Sequence, residues 1–496
     1  MSASATSASV TPASIPSEAA ASESVTRTLA QFCSSLRYED LPPEVAQESK
    51  RLILDTIGCG LGGHEVEKGQ MAVKLAQRSG GLAESTIVGV AGKFPSTMAA
   101  YANGELMNAL DWNALGQPNH SPPYVVPASL ALAEANGTTG KELITAVALG
   151  LETAARVGAA LGGLRATPGG FPLRVWGVSS TAIGAAAGAG NILKFDTERM
   201  LHTIGLGGYY APVPSHTKYN HTVAVGYAKY APSGWVAQAG VTTALLAQMG
   251  SRGDTTVLDG EYGFWAMNGS PAVNNDKITK GLGKEWTFAS TPFKYWPICG
   301  SFQAPLDVFA KIIEEHRLQP EEITDVLCKI EAFMGLPKYI NPDPHDHVEC
   351  ASSLPYCIAV AAHRVKLGPA WQSRQTMNDP RIRAFMKKVR HGVDPRAEEF
   401  RDEDIIRDKL PTLRRRPALV EVQARGKTFT DQTEFARWLS IGEPKYRPSD
   451  DDLAKKFRAN AEAVLSDAKA AQAVEMLLSL EKLDNVARLM PSLALD

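Results

Sequence analysis

The 496-residue chain has no Cys-x-x-Cys pair. Its six cysteines (Cys33, Cys59, Cys299, Cys328, Cys350 and Cys357) are scattered, which excludes zinc-ribbon and cubane-cluster spacings and leaves no metal expected. Scattered thiols in a large chain fit a reducing compartment. Charge of one sign is also lacking, since 51 Lys and Arg face 53 Asp and Glu for a net −2. Such a chain has no electrostatic reason to seek nucleic acid or an anionic membrane. A long apolar run is missing too. The longest uncharged helical stretch, Val175–Leu193, is rich in Gly, Ala and Ser, which suits close packing inside protein rather than a membrane span. The first 24 residues hold no aromatic and no basic side chain, so they cannot bury enough surface to fold and are expected to be disordered. They lack the apolar centre of a secretory signal and the arginines of a mitochondrial one, and the expectation is a cytoplasmic protein, with a mitochondrial one as the alternative.

What is present reads as an ordinary soluble globular balance, 44% apolar and 21% charged, long enough for two or three domains. Val25, Leu29, Phe32, Cys33 and Leu36 repeat at helical spacing behind Ser24, a candidate N-cap. Pro42–Pro43 opens a second helix that ends at glycines 60–63, and further helical patterns cover about 96–110, 125–136, 140–162, 176–193 and 233–249. Gly137 and Gly250 are candidate stops. Gly184, Gly188 and Gly190 weaken their helix, and close helix–helix approach is the expected compensation. Near residue 285 the character changes. "TDVLCKIEAF" alternates as a half-buried strand, and "ALVEVQARGKTFTDQ" reads as two strands around Arg425–Gly426. Ser353-Leu-Pro-Tyr and Ser449 open later helices. The basic run "TLRRRP" (412–417) reads as solvated surface. The fold class expected is therefore mainly α. A large all-helical domain is built from both chain ends, 25–285 and 445–496, with a smaller α+β lid domain, 286–444, inserted.

Three stretches could carry chemistry. In "ALDWNALGQPNHSPPYVVPAS" (109–129), Asp111 and His120 sit on a loop stiffened by Pro118, Pro122 and Pro123, and a pre-positioned imidazole suits acid–base work. The competing reading is a capping Asp and a core His. In "AKYAPSGWVAQAG" (228–240), Lys229 precedes the start of a helix, where exposed amides plus one ammonium would make a carboxylate site, against a plain solvent lysine. In "TPFKYWPICGSFQAP" (291–305), Lys294, two aromatics, Cys299 and Gly300 fall at the helical-to-mixed junction, where pockets form. Cys299 reads as pocket lining before nucleophile, because no Cys–His pairing is legible.

In this order the three stretches resemble the MmgE/PrpD family of 2-methylcitrate dehydratases and cis-aconitate decarboxylases. "RLILDTIGCGLGG" (51–63), "LDGEYGFW" (258–265), "SSLPY" (352–356) and "RPSDDDLAKKF" (447–457) are similar to further family segments. The resemblance implies a helical domain with an α+β lid, a homodimer, and no metal or organic cofactor. It assigns Asp111, His120, Lys229 and Lys294 to catalysis, and places Arg174, Cys299, Gly300, Tyr230 and Ser353 against the substrate. Departures are Val175 and Gln303, where relatives often carry histidine, and Asn113 and Ala114 in the loop. Tyr219, Tyr230 or Cys299 could replace a missing imidazole, and Arg174 could clamp a carboxylate.

The chemistry implied is a carbanion made and quenched beside a carboxylate. Lys229 and Lys294 hold carboxylates and developing oxyanion charge, while His120 moves the proton with Asp111 raising its basicity. The leading expectation is a cofactor-independent lyase, a dehydratase of the 2-methylcitrate or alkylcitrate type, on a small di- or tricarboxylic acid. Alternatives are a cis-aconitate-like decarboxylase, an isomerase or epimerase on a related acid, and an inactive dimeric binding homologue.

Overall fold

The computed structural model describes residues 24–116, 120–161, 177–223, 225–229, 231–408, 413–439 and 444–495. The tail expected to be disordered lies outside them, apart from Ser24. Among the described residues ten α-helices come first: α1 Val25–Ser35, α2 Pro43–Gly62, α3 Glu67–Ser79, α4 Ser96–Asn108, α5 Pro122–Ala135, α6 Gly140–Ala160, α7 Ser180–Ile192, α8 Thr197–Tyr209, the short α9 His216–Asn220 and α10 Ser233–Gln248. Their starts follow side-chain chemistry. Ser24 accepts from the Arg27 N–H, Thr139 and Glu142 form a reciprocal capping box on α6, and Asp196 accepts from the Arg199 N–H. Asp259, in the 258–265 stretch, accepts from the Val25 N–H at 2.7 Å and the Ser24 hydroxyl at 2.8 Å, fastening the start of α1.

Helix α6 is long and apolar enough to cross a membrane, yet 94% of its apolar window is buried within the protein. It packs against α7 at small residues. A Cβ added to Gly184 would fall 2.4 Å from the Gly150 carbonyl oxygen, so glycine there is what lets the two backbones meet. Helices α3 and α8 are not among the expected helices; lysines and glutamines crowd α3, and three glycines dilute the apolar face of α8.

A four-stranded sheet forms from the middle of the chain: β1 Ile323–Ile330, β2 Val389–Val393, β3 Ala418–Ala424 and β4 Lys427–Thr433, in the order β2-β1-β3-β4. β1 pairs parallel with β2 and antiparallel with β3, and β3 pairs antiparallel with β4 through a turn in which Arg425 and Gly426 both have positive φ, 53° and 69°. Val326, Cys328, Val420 and Val422 point from the sheet into a second hydrophobic core shared with the helices Gln303–Glu315 and Leu354–Ala362. The basic run is more than solvated surface: Arg414 and Arg415 pair with Asp404, and Arg416 pairs with Glu331 at 2.9 Å.

The first core takes in α1–α8, α10 and the C-terminal helices Asp450–Ala461 and Asp467–Leu478. Phe457 lies against Gly58 of α2, so the two chain ends share one interior. Gly184→Val should destabilise the protein by about 1–3 kcal/mol through overpacking, read as a lower thermal midpoint. An unchanged midpoint would mean that α6 and α7 are not in backbone contact.

Candidate active site

Helix α4 ends at Asn108 and the chain turns at Asp111, whose φ of 53° is left-handed for a residue with a side chain. Such a residue costs roughly 1–3 kcal/mol and persists only where its surroundings fix it. Here they do. Asp111 Oδ1 lies 2.9 Å from Lys294 Nζ and 3.2 Å from Lys229 Nζ, and Lys294 Nζ also donates to the Asp111 carbonyl at 2.7 Å. Lys229 itself has a φ of 52° and donates to the Asn108 carbonyl at 3.3 Å. All three residues are buried. Segments far apart in sequence thus bring two ammonium groups onto one carboxylate.

The electrostatics follow from that crowding. Burial alone would raise the Asp111 carboxyl, but the Lys229 and Lys294 ammoniums hold it well below the usual carboxylate range. Burial lowers Lys229 to about 8 against the pull of Asp111. His120 is buried beside them; desolvation and the Lys294 charge push its imidazole down to about 3, outweighing Asp111. Asp111 does pull the His120 pKa upward, as expected, but the net shift is downward. The ring is neutral at pH 7 because one carboxylate cannot offset burial and two nearby ammoniums.

Beneath this group lies a second buried ion pair. Lys456 Nζ, from the C-terminal helix Asp450–Ala461, sits 2.7 Å from Asp55 Oδ1 of α2 and donates to the carbonyls of Trp112 at 2.7 Å and Lys294 at 3.1 Å. Asp55 Oδ2 accepts the Ala114 N–H at 3.0 Å. The Trp112 indole donates to the Tyr295 carbonyl at 2.9 Å, and Gln372 reaches the carbonyls of Leu110 at 2.6 Å and Pro297 at 2.7 Å. The Asp111 loop and the Lys294 segment are stitched together from both cores.

Other expected residues divide. Cys299 and Gly300 lie at the site. The Cys299 thiol is pushed up by burial and by Asp111, which keeps it protonated, and a Cβ on Gly300 would stand 3.9 Å from Lys294 Cε. Ser353 is a helix cap: its hydroxyl donates to the Asn341 carbonyl at 2.7 Å and accepts the Tyr356 N–H, while the neighbouring Ser352 side chain bonds Tyr219. Gln303 does not stand in for an imidazole. Its Oε1 accepts the N–H groups of Tyr295 and Trp296, and its Nε2 donates to the Trp296 carbonyl, stapling that turn. Asn113 is buried and donates to the Ala114 carbonyl. At the start of α10 the Gly234 N–H is already taken, by Glu105 Oε1 at 2.7 Å, and the other oxygen of Glu105 pairs with Lys68 at 3.0 Å. Arg174, Val175 and Tyr230 lie outside the described residues. Among the described residues no three His, Cys, Asp or Glu side chains gather as metal ligands.

The sequence reading missed Lys338 and Tyr339. Lys338 Nζ lies 3.2 Å from the Tyr219 ring centroid and 4.5 Å from that of Tyr339, and burial lowers it to about 7. Asn220 ties the group together, its Oδ1 accepting the Tyr339 hydroxyl at 2.8 Å and its amide lying 3.0 Å from His216 Nδ1. The signal available was a lone lysine in the otherwise apolar run "FMGLPKYI".

Comparison with known proteins matches most of the chain to one family. The MmgE/PrpD N-terminal domain matches residues 27–273, and the MmgE/PrpD C-terminal domain residues 296–482. Similar curated proteins are the cis-aconitate decarboxylase of Homo sapiens, 27% identical over 93% of each chain, and that of Mus musculus, 25% identical over 93% of this chain and 92% of its own. The cis-aconitate decarboxylase of Aspergillus terreus is 24% identical over 95% of this chain and 96% of its own.

Lys456→Met strands the Asp55 charge and should cost about 3–5 kcal/mol of stability in denaturant unfolding, whereas replacing Asp55 and Lys456 together with apolar residues should recover most of the loss. A single variant as stable as the parent would remove the pair from this role. His120 generates a pH prediction. Its pKa falls from 6.5 unfolded to about 3 folded, so the unfolded state binds the proton more tightly. Stability is whole above pH 6.5 and declines as pH drops toward 3. Between pH 7 and pH 5, His120→Asn should lose about 2 kcal/mol less stability than the parent, measured by guanidinium midpoints. Parallel losses would show that the folded imidazole titrates normally.

Proposed function

The chain belongs to the MmgE/PrpD family, and on that premise we propose that its site removes carbon dioxide from a small di- or tricarboxylic acid and protonates the carbon left behind. Membership, together with relatives that are decarboxylases, makes the chain a lyase. The observation that carries the finer reading is Asp111 held between the buried ammoniums of Lys229 and Lys294. Two positive charges against one negative leave a surplus in a low-dielectric site, where it acts strongly on a substrate carboxylate and on the oxygen that gains charge.

In the proposed step, the bond to one carboxylate carbon breaks and that group leaves as carbon dioxide. The bonding pair passes into the remaining carboxyl system as an enolate beside Lys229 and Lys294. A proton from Lys229 then ends on the substrate carbon, and solvent restores it. A lysine lowered to about 8 suits this, because a donor works best with a pKa near the working pH. Asp111 holds the two ammoniums in register.

Dehydration of a 2-methylcitrate-type acid is the second reading, and the observation behind it is His120, which is uncharged at pH 7 and so has no added proton to donate. Burial and the lysines make that imidazole a weak base, so this reading requires the substrate's carboxylates to offset the lysine charge before His120 takes a proton from the carbon next to one. The test is direct. Purified protein is incubated with cis-aconitate, citrate and 2-methylcitrate while carbon dioxide release and alkene absorbance are followed. Carbon dioxide from cis-aconitate, reduced about 10²–10⁴-fold in Lys229→Met, supports the first reading. Alkene formation without carbon dioxide supports the second, and no turnover of any of the three overturns both.

A further inference from the structure

Six lysines are buried among the described residues: Lys50, Lys68, Lys229, Lys294, Lys338 and Lys456. Five of them have a carboxylate at ion-pair distance. Lys50 pairs with Glu481, Lys68 with Glu105, Lys456 with Asp55, and Lys229 and Lys294 share Asp111. Lys338 is the exception among the described residues. It is 3% exposed, and its polar contact is the amide oxygen of Asn220 at 3.4 Å, with the ring faces of Tyr219 and Tyr339 on either side. Aromatic faces attract a cation without neutralising it, and a buried ammonium lacking an anion is costly.

The position matters as much as the missing partner. Lys338 is near enough to Asp111 and Lys229 to feel their charges, and Cys299 feels both Lys294 and Lys338. The uncompensated charge therefore belongs to the same site and not to a separate surface. With Lys338 counted, three lysines share a single carboxylate: Lys229 and Lys294 pair with Asp111, and Lys338, lowered to about 7 by burial, has none among the described residues.

We propose that Lys338 binds a second carboxylate of the substrate, so that the site selects acids with two or more carboxylates over those with one. This rests on the functional reading above. One carboxyl group lies against Lys229 and Lys294, where the bond changes occur. The other lies against Lys338, supplying the anion that the protein itself withholds and entering with its charge already matched. Specificity then comes largely from the penalty on a monocarboxylate, which would leave the Lys338 ammonium buried without an anion.

The test uses equilibrium binding, which needs no turnover. Tricarballylate and butyrate are titrated calorimetrically into the full-length protein, its Lys338→Met variant and its Lys338→Arg variant, with thermal midpoints recorded alongside. Tricarballylate should bind the parent, weaken 10–100-fold in Lys338→Met and recover in part in Lys338→Arg. Butyrate should respond weakly and equally to all three, and the Lys338→Met midpoint should hold or rise, since a buried charge has gone. Equal weakening of both acids, unchanged tricarballylate affinity, or no tricarballylate binding by the parent overturns the proposal. Tricarballylate selectivity lost in Lys338→Met, with no acid turned over, would instead sink the lyase step and leave the Lys338 assignment standing.

Discussion

The buried pair between Asp55 and Lys456 is the contact on which the rest of the site hangs. Neither group reaches the reacting centre, yet between them they hold the Ala114 N–H and the carbonyls of Trp112 and Lys294. Those backbone groups flank Asp111 on one side and carry the Lys294 side chain on the other. A left-handed aspartate and two lysines drawn to it form a cluster that would relax if its backbone could move. The ion pair denies it that freedom. Its own desolvation is offset by hydrogen bonds to the very loops it positions.

The same logic separates structural charge from working charge. Glu105 is spent on the start of α10 and on Lys68, Gln303 on a turn, and Ser353 on a helix cap. Each is saturated by protein. What is left over is the positive excess around Asp111. A site of this kind attracts anions through its composition and discriminates among them by where the excess lies.

Much of this was legible in the residues. Ser24, Ser353 and Ser449 mark helix starts because a hydroxyl before an apolar-periodic run has one obvious use, and the Arg425–Gly426 hairpin follows from two alternating runs around a tight turn. Asp111, Lys229 and Lys294 stood out through their neighbours. Other features had no local signature. β2 is five residues long and makes sense only beside β1, some sixty residues earlier. Lys338 gains its meaning from Tyr219 and Asn220, more than a hundred residues upstream. The neutral state of His120 depends on how deeply it is buried and how close the lysines come, quantities that spacing along a chain does not encode.

The distance along the chain between Asp55 and Lys456 bears on how the protein is born. Ribosomes deliver α2 some four hundred residues before the Asp450–Ala461 helix, so through that stretch of synthesis the aspartate waits without its lysine. The helical body can gather in that interval, but the floor under the Asp111 loop is laid only when the Asp450–Ala461 helix emerges. A polypeptide truncated before residue 456 would keep the Asp111, His120, Lys229 and Lys294 side chains and lose the fastening that gives them a common geometry.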